Sequence, residues 1–241
     1  MRHARLFLPT LFLLAVVPPT LAAPQLSLTW DTCTGPTDKT TTDPGIYSLN
    51  ASLIGLDQPT TAYQVWISYG DASLQVPDAW RFDDLGGCQT SAGIAINHLS
   101  PPALSKACPS LQGTAPSLQI KKVDFWPPAF SVPQTLMRAL LANAYPAGNL
   151  VVDPSTRWFL AQFRFDHTFS VVGPTEPNVW CGGFETPICF RVEVASYLTP
   201  DQIEYPIAVP GAVTATFDQG VCGAVPARPS TWGGIKAQYR R

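Results

Sequence analysis

Apolar and polar residues alternate with period 2 through most of the chain, the pattern of strands that bury one face. In QLSLTW, Leu26, Leu28 and Trp30 share a face. IYSLNASLIGL groups Tyr47, Leu49, Ala51 and Leu53, and AYQVWISY groups Tyr63, Val65, Ile67 and Tyr69. DQPTT, residues 57–61, separates these two runs as a turn, which predicts a β-hairpin. FLAQFRFDHTFSVVG sets Phe159, Ala161, Phe163, Phe165, Phe169 and Val171 against Gln162, Arg164, Asp166, Thr168 and Ser170, with His167 at a core position. FRVEVASY sets Phe190, Val192 and Val194 against Arg191 and Glu193, and AVTATF sets Val213, Ala215 and Phe217 against Thr214 and Thr216. GIAINHL and SLQIKKVDF are further strand candidates.

One segment has helical period. TLMRALLAN places Leu136 with Leu140 and Met137 with Leu141 at i, i+4, and Asn143 can cap its end, so one short helix is expected to decorate the sheets. SPPALSKACP, DFWPPAFSVP and VGPTEPN read as long proline-rich loops. Roughly nine short strands with turn signals between them predict an all-β, two-sheet antiparallel sandwich, jelly-roll or immunoglobulin-like.

The N-terminus changes the picture. Arg2, His3 and Arg5 precede an apolar run from Leu6 to Val17, and small residues follow up to Ala23. This order predicts a signal peptide over residues 1–23, cleaved after Ala22 or Ala23. A single sandwich domain over 24–225 and a basic tail over 226–241 complete the expected organisation. Without Arg2 and Arg5 the chain has 13 basic against 17 acidic residues, so it lacks the basic field that nucleic-acid binding requires. A secreted, cell-surface or periplasmic location is expected.

Six cysteines, Cys33, Cys88, Cys108, Cys181, Cys189 and Cys222, read as three disulfides in such a chain. Proximity along the chain suggests Cys181–Cys189, Cys88–Cys108 and Cys33–Cys222. No C-x-x-C spacing supports zinc instead.

The N-terminal strand followed by Y-x-L-x-A-x-L and Y-x-V-x-I-x-Y resembles the cohesin-like and immunoglobulin-like sandwiches of secreted bacterial proteins. The similarity spans Leu26 to Phe217. STWGGIKAQYRR resembles C-terminal tails of uncharacterised secreted bacterial proteins. The resemblance implies a sandwich and no particular activity.

Candidate chemistry is sparse. His98 and His167 are the two histidines outside the N-terminal segment. Asp166 cannot orient His167 within a regular strand, because neighbouring side chains point to opposite faces. No G-x-S-x-G elbow supplies a nucleophile, and a His98–His167 metal pair lacks a third ligand. Glu176, Glu185, Glu193 and Glu204 form no marked pair for glycoside hydrolysis. Asp83 and Asp84 lack the spacing of a calcium loop.

Aromatic residues are more suggestive. Trp66 lies on the register opposite Tyr63 and Val65, with Gln64 and Ser68, and so is expected to face outward. Trp80, Trp126 and Trp180 sit in or beside loops. These four are the candidate ligand platform, since a flat ring suits a sugar or an apolar protein surface. In the tail, Trp232, Ile235 and Tyr239 share one helical face among Arg228, Lys236, Arg240 and Arg241. Such a tail suits docking to the envelope or the export machinery. The expected function is a non-catalytic binding or surface-structural role toward an extracellular glycan or surface protein, with no cofactor. The alternative is a secreted hydrolase with a dispersed site around His167 and His98.

Overall fold

A computed structural model describes residues 23–83, 88–113, 115–126, 136–146, 153–172, 181–207 and 212–222. The expected signal peptide up to Ala22, Asp84, Glu176, Trp180 and the basic tail lie outside them, as do the side chains of Phe125 and Trp126.

The described residues form two sheets with no α-helix among them. The first contains β1 (Gln25–Trp30), β3 (Ile46–Ile54), β5 (Ile94–Asn97) and β8 (Trp158–Asp166), in the order β1-β3-β8-β5. The second runs β2-β11-β9-β4-β7-β6. Its strands are β2 (Asp38–Lys39), β4 (Ala62–Gly70), β6 (Leu118–Trp126), β7 (Leu136–Ala144), β9 (Ile188–Leu198) and β11 (Thr214–Phe217), and β10 (Glu204–Pro206) adds to β9. All pairings are antiparallel except β2 with β11.

The core lies between the sheets and follows the alternation. Leu28, Trp30, Leu49, Leu53, Tyr63, Val65, Ile67, Tyr69, Phe163 and Phe165 are all buried there. Hydrogen bonds cross it as well. Tyr63 Oη donates to the Leu160 carbonyl at 2.8 Å, and Trp30 Nε1 donates to the Thr216 carbonyl at 2.7 Å. Each joins one sheet to the other, so buried polar groups lock the register while staying satisfied.

The sandwich is as expected, and four local expectations are corrected. The first is the hairpin. β3 and β4 belong to different sheets, and residues 55–61 cross between them. Gly55 turns at φ 85°, Leu56 inserts into the core, and the Thr61 amide bonds the Leu198 carbonyl at 2.8 Å. Two alternating runs across a short turn have the same sequence whether they pair or face each other.

The second is the helix. Residues 136–144 form β7, a central strand between β4 and β6. Met137, Ala139 and Leu141 face the core while Leu140 and Ala142 face outward, yet all five are buried. A strand buried on both faces loses its alternation and reads as an unbroken apolar run. Tertiary pairing overrides the helical propensity of leucine and alanine.

The third is register. Between β3 and β8, Ala51 pairs Ala161 but Ser52 pairs Phe159, so Leu160 is an extra residue. Leu160 joins the core, and Phe159 packs instead against Cys33 and Cys108. Between β4 and β9, Trp66 pairs Val194 but Ile67 pairs Val192, so Glu193 is extra and Val194 turns outward beside Trp66. One inserted residue reverses the faces beyond it.

The fourth is the cysteines. They form three disulfides, paired Cys33–Cys108, Cys88–Cys181 and Cys189–Cys222, with Cα separations of 6.3, 5.2 and 5.2 Å. Proximity in sequence fails because each bridge joins segments that the sheets bring together.

Candidate functional site

His167 is fully buried. β8 ends at Asp166, and the His167 amide donates to the Gly45 carbonyl at 2.8 Å. The imidazole packs against Trp80, Phe82 and Phe184 at ring-centre distances of 4.2, 5.2 and 5.1 Å. Its Nδ1 lies 3.1 Å from Ser170 Oγ. Burial pushes its pKa down to about 3, against the opposing effects of the Ala79 backbone and the Asp166 charge. A ring enclosed this way is a core residue, with no room for substrate.

His98 follows β5, which pairs with β8. The strands are therefore neighbours, but the histidines lie beyond opposite ends of the pairing, about 20 Å apart along the strand direction at ~3.3 Å per residue. They do not form a pair. His98 Nδ1 is 2.9 Å from Gln119 Nε2, and burial followed by the Lys121 charge lowers its pKa.

The carboxylates are also dispersed. Glu193 is buried on the outer face of the second sheet, where Ser68 Oγ donates to it at 2.5 Å. Burial raises its pKa, while Ser68 and the Arg191 charge oppose the rise. Glu204 accepts from Ser196 Oγ at 2.7 Å, and Asp83 is buried 3.3 Å from Arg81. Among the described residues, no group of three His, Cys, Asp or Glu is placed to hold a metal.

Trp66 does project away from the main core, yet it is only 1% exposed. It joins Ala62, Leu140, Ala142 and Val194 in a second apolar cluster. The Arg138 guanidinium lies 4.7 Å from its ring centre, and that guanidinium grips Asp124 through two 2.8 Å hydrogen bonds. Trp80 is fully buried in the main core, with Nε1 donating to the Phe184 carbonyl at 3.1 Å. Neither indole is open to a ligand here. Trp126 stands at the end of β6, and Trp180 lies outside the described residues.

A different aromatic residue is presented to solvent. Phe169, expected in the core, is 80% exposed. The turn that carries it is tied on both sides. Asp166 accepts from the Thr168 amide at 3.0 Å and from the Thr168 hydroxyl at 2.5 Å. The Ser170 amide donates to the His167 carbonyl at 2.9 Å, and Ser170 Oγ accepts from Gln89 Nε2 at 2.9 Å. The Val171 amide donates to the carbonyl of Cys181, which is bonded to Cys88. Val171, Val172 and Ile46 are exposed beside this turn, and Ile46 pairs with Asp166. The sequence carries a signal for it. Asp-x-Thr, Asp166 to Thr168, is the composition of an Asx turn and ends a strand.

No protein-family model matches the chain, and no curated protein gives a significant match. The fold is similar to solved cohesin structures at very low identity. One is a type I cohesin–dockerin complex from Clostridium thermocellum, with 10% identity and a TM-score of 0.39, covering 81% of this chain and 98% of that one. Another is the cohesin module of a Clostridium perfringens family 33 glycoside hydrolase, with 9% identity and a TM-score of 0.35, covering 80% and 94%. A third is a non-cellulosomal cohesin from Archaeoglobus fulgidus, with 8% identity and a TM-score of 0.32, covering 90% and 99%.

Proposed function

We propose that this chain is a secreted, non-catalytic β-sandwich, one domain over residues 24–225, that recognises another protein through the apolar end around Phe169. One observation carries the reading: a phenylalanine 80% exposed on a turn whose neighbours are all hydrogen-bonded. Leaving that ring in water forgoes roughly 1.5–3 kcal/mol of burial. A ring already held in place loses little freedom when a partner covers it, which suits a binding hot spot. Val171, Val172 and Ile46 widen it into a patch. The signal-type N-terminus and the three disulfides support an oxidising, extracytoplasmic location.

The partner is read as a surface protein rather than a glycan, because Trp66 and Trp80 are closed. The test is binding of the oxidised chain, and of Phe169→Ala and Phe169→Asp, to envelope protein fractions. Both variants are expected to keep the wild-type melting temperature and to lose binding. Retention undiminished by Phe169→Asp would sink the reading.

A further inference from the structure

The charges around the apolar end select the kind of protein segment that fits it. Five of the nine large apolar residues exposed among the described residues gather here: Ile46, Phe169, Val171, Val172 and Val221. Strand register brings them together. Ile46 at the start of β3 pairs Asp166 at the end of β8, and Phe217 at the end of β11 pairs Ile188 at the start of β9. Tyr47 joins the two sheets, its ring 6.2 Å from His167 and 5.6 Å from Phe217. Val221 precedes Cys222, which is bonded to Cys189 in β9.

Carboxylates flank this patch on both sheets. Asp166 adjoins it on β8, and hydrogen bonds from the Thr168 hydroxyl and then the Thr168 amide lower its pKa, so it is charged at neutral pH. Asp43 precedes β3, and its carbonyl accepts from Tyr47 Oη. Asp218 follows β11, and its amide donates to the Lys39 carbonyl at 2.9 Å. Asp38 accepts from Thr216 Oγ1 at 2.6 Å and from the Gln219 amide at 3.0 Å. The cations here are fewer and engaged. Lys39 is held by Asp31 at 2.7 Å, and Arg81 lies between Asp78 and Asp83, at 3.8 and 3.3 Å. Arg164 stands on β8 two residues before Asp166, and its charge acts on that carboxylate.

We propose that the end around Phe169 docks a cationic protein segment, one that carries Lys or Arg beside large apolar side chains. This rests on the binding reading above and names the partner's chemistry. The apolar side chains of the segment cover Phe169, Val171 and Val172, while its cations face Asp43, Asp166 and Asp218. Rim charges of this sort steer the approach and reject wrong partners more than they add affinity. A bilayer is the other apolar acceptor for exposed Phe and Val, but its anionic headgroups would be repelled by these carboxylates. A second copy docked end to end would set the same carboxylates against each other.

The test pans a displayed library of random peptides on the immobilised, full oxidised chain, with counter-selection on Phe169→Ser. Recovered peptides are expected to combine Lys or Arg with Leu, Ile, Phe or Trp and to lack Asp and Glu. Their affinity, read by fluorescence anisotropy, should fall at least about tenfold in Phe169→Ser. It should also fall in the double variant Asp43→Asn, Asp218→Asn, where asparagine tolerates the φ of 49° at position 218. Raising salt from about 0.05 to 0.5 M should weaken binding to the unaltered chain. Neutral or acidic peptides, no peptide that depends on Phe169, or binding indifferent to salt overturns the inference. So does cosedimentation with phosphatidylserine vesicles, or a dimer in analytical centrifugation, that Phe169→Ser abolishes. Envelope protein fractions separate the two claims. Binding there that needs Phe169 but ignores both salt and the paired Asp→Asn changes removes this inference alone. Cationic peptides that need Phe169, with envelope binding indifferent to it, remove the surface-protein reading alone.

Discussion

The imidazole of His167 lies 4.2 Å from the indole of Trp80, centre to centre, with the planes inclined at 58°. Among Phe82, Phe165 and Phe184, the ring stays neutral because charge there would be desolvated. Its pKa is pushed down to about 3, while an unfolded histidine titrates near 6.5. Below pH 6.5 the unfolded chain therefore binds a proton that the folded chain refuses. Stability falls as pH drops from 6.5 towards 3, by at most about 1.4 kcal/mol per unit from this group. Glu193 acts in the opposite sense, since its raised pKa makes the folded state take up a proton first. His167→Leu should change stability little at pH 7.5 and exceed wild type at pH 4.5. Urea unfolding at both values checks it, and parallel losses in both proteins would contradict it.

Disulfide mapping is the next check. Proteolysis of the unreduced chain should yield Cys33–Cys108, Cys88–Cys181 and Cys189–Cys222 peptides. The bridges close 75, 93 and 33 residues. On chain entropy each stabilises by about 4 kcal/mol, the shortest loop least. Cys189→Ala with Cys222→Ala should therefore be the mildest double variant in urea. If it is the most destabilising, loop closure is not what these bridges supply.

The alternation was enough to read the sandwich, because burial of one face is written into every second residue of β1, β3 and β4. It failed where the sheet departs from that rule. β7 is buried on both faces, so Leu136 to Ala144 shows no period of 2. Glu193 and Leu160 are single-residue bulges, which leave no mark in composition but invert Val194 and Phe159. Phe169 leaves the core position that alternation predicts for a related reason: the alternation continues past Asp166, while the Asx turn stops the strand. The alternation gives the outward face of β4 on which Trp66 lies, but its burial depends on Arg138, 72 residues away and paired through β7. Such long-range cover is invisible in a local pattern.

Trp66 should behave as a structural residue. Its ring fills the outer cluster and carries the Arg138 guanidinium, which Asp124 holds from the other side. Trp66→Ala should cost about 3–5 kcal/mol, as for other buried large-to-small changes. Asp124→Ala should also destabilise, since it removes the carboxylate that grips a nearly buried guanidinium. Denaturant midpoints measure both. A Trp66→Ala protein as stable as wild type would show that the ring is exposed in solution.

The last prediction concerns what holds Phe169 in place. Ser170 Oγ accepts from Gln89 and stands 3.1 Å from His167 Nδ1, with all three residues buried. Ser170→Ala strands the Gln89 amide and the imidazole nitrogen together. A buried polar group without a partner costs about 1–3 kcal/mol, so the variant should lose stability by that order. Thr168 is exposed, and among the described residues its side chain bonds to Asp166, so Thr168→Ala should stay within about 0.5 kcal/mol. The same pair of variants separates stability from display. Ser170→Ala should speed amide exchange at Val171, whose hydrogen bond to Cys181 depends on the turn, while leaving the core strands protected. If exchange at Val171 is unchanged, the disulfide to Cys88 alone fixes the turn, and Phe169 is held from the Cys181 side rather than from His167.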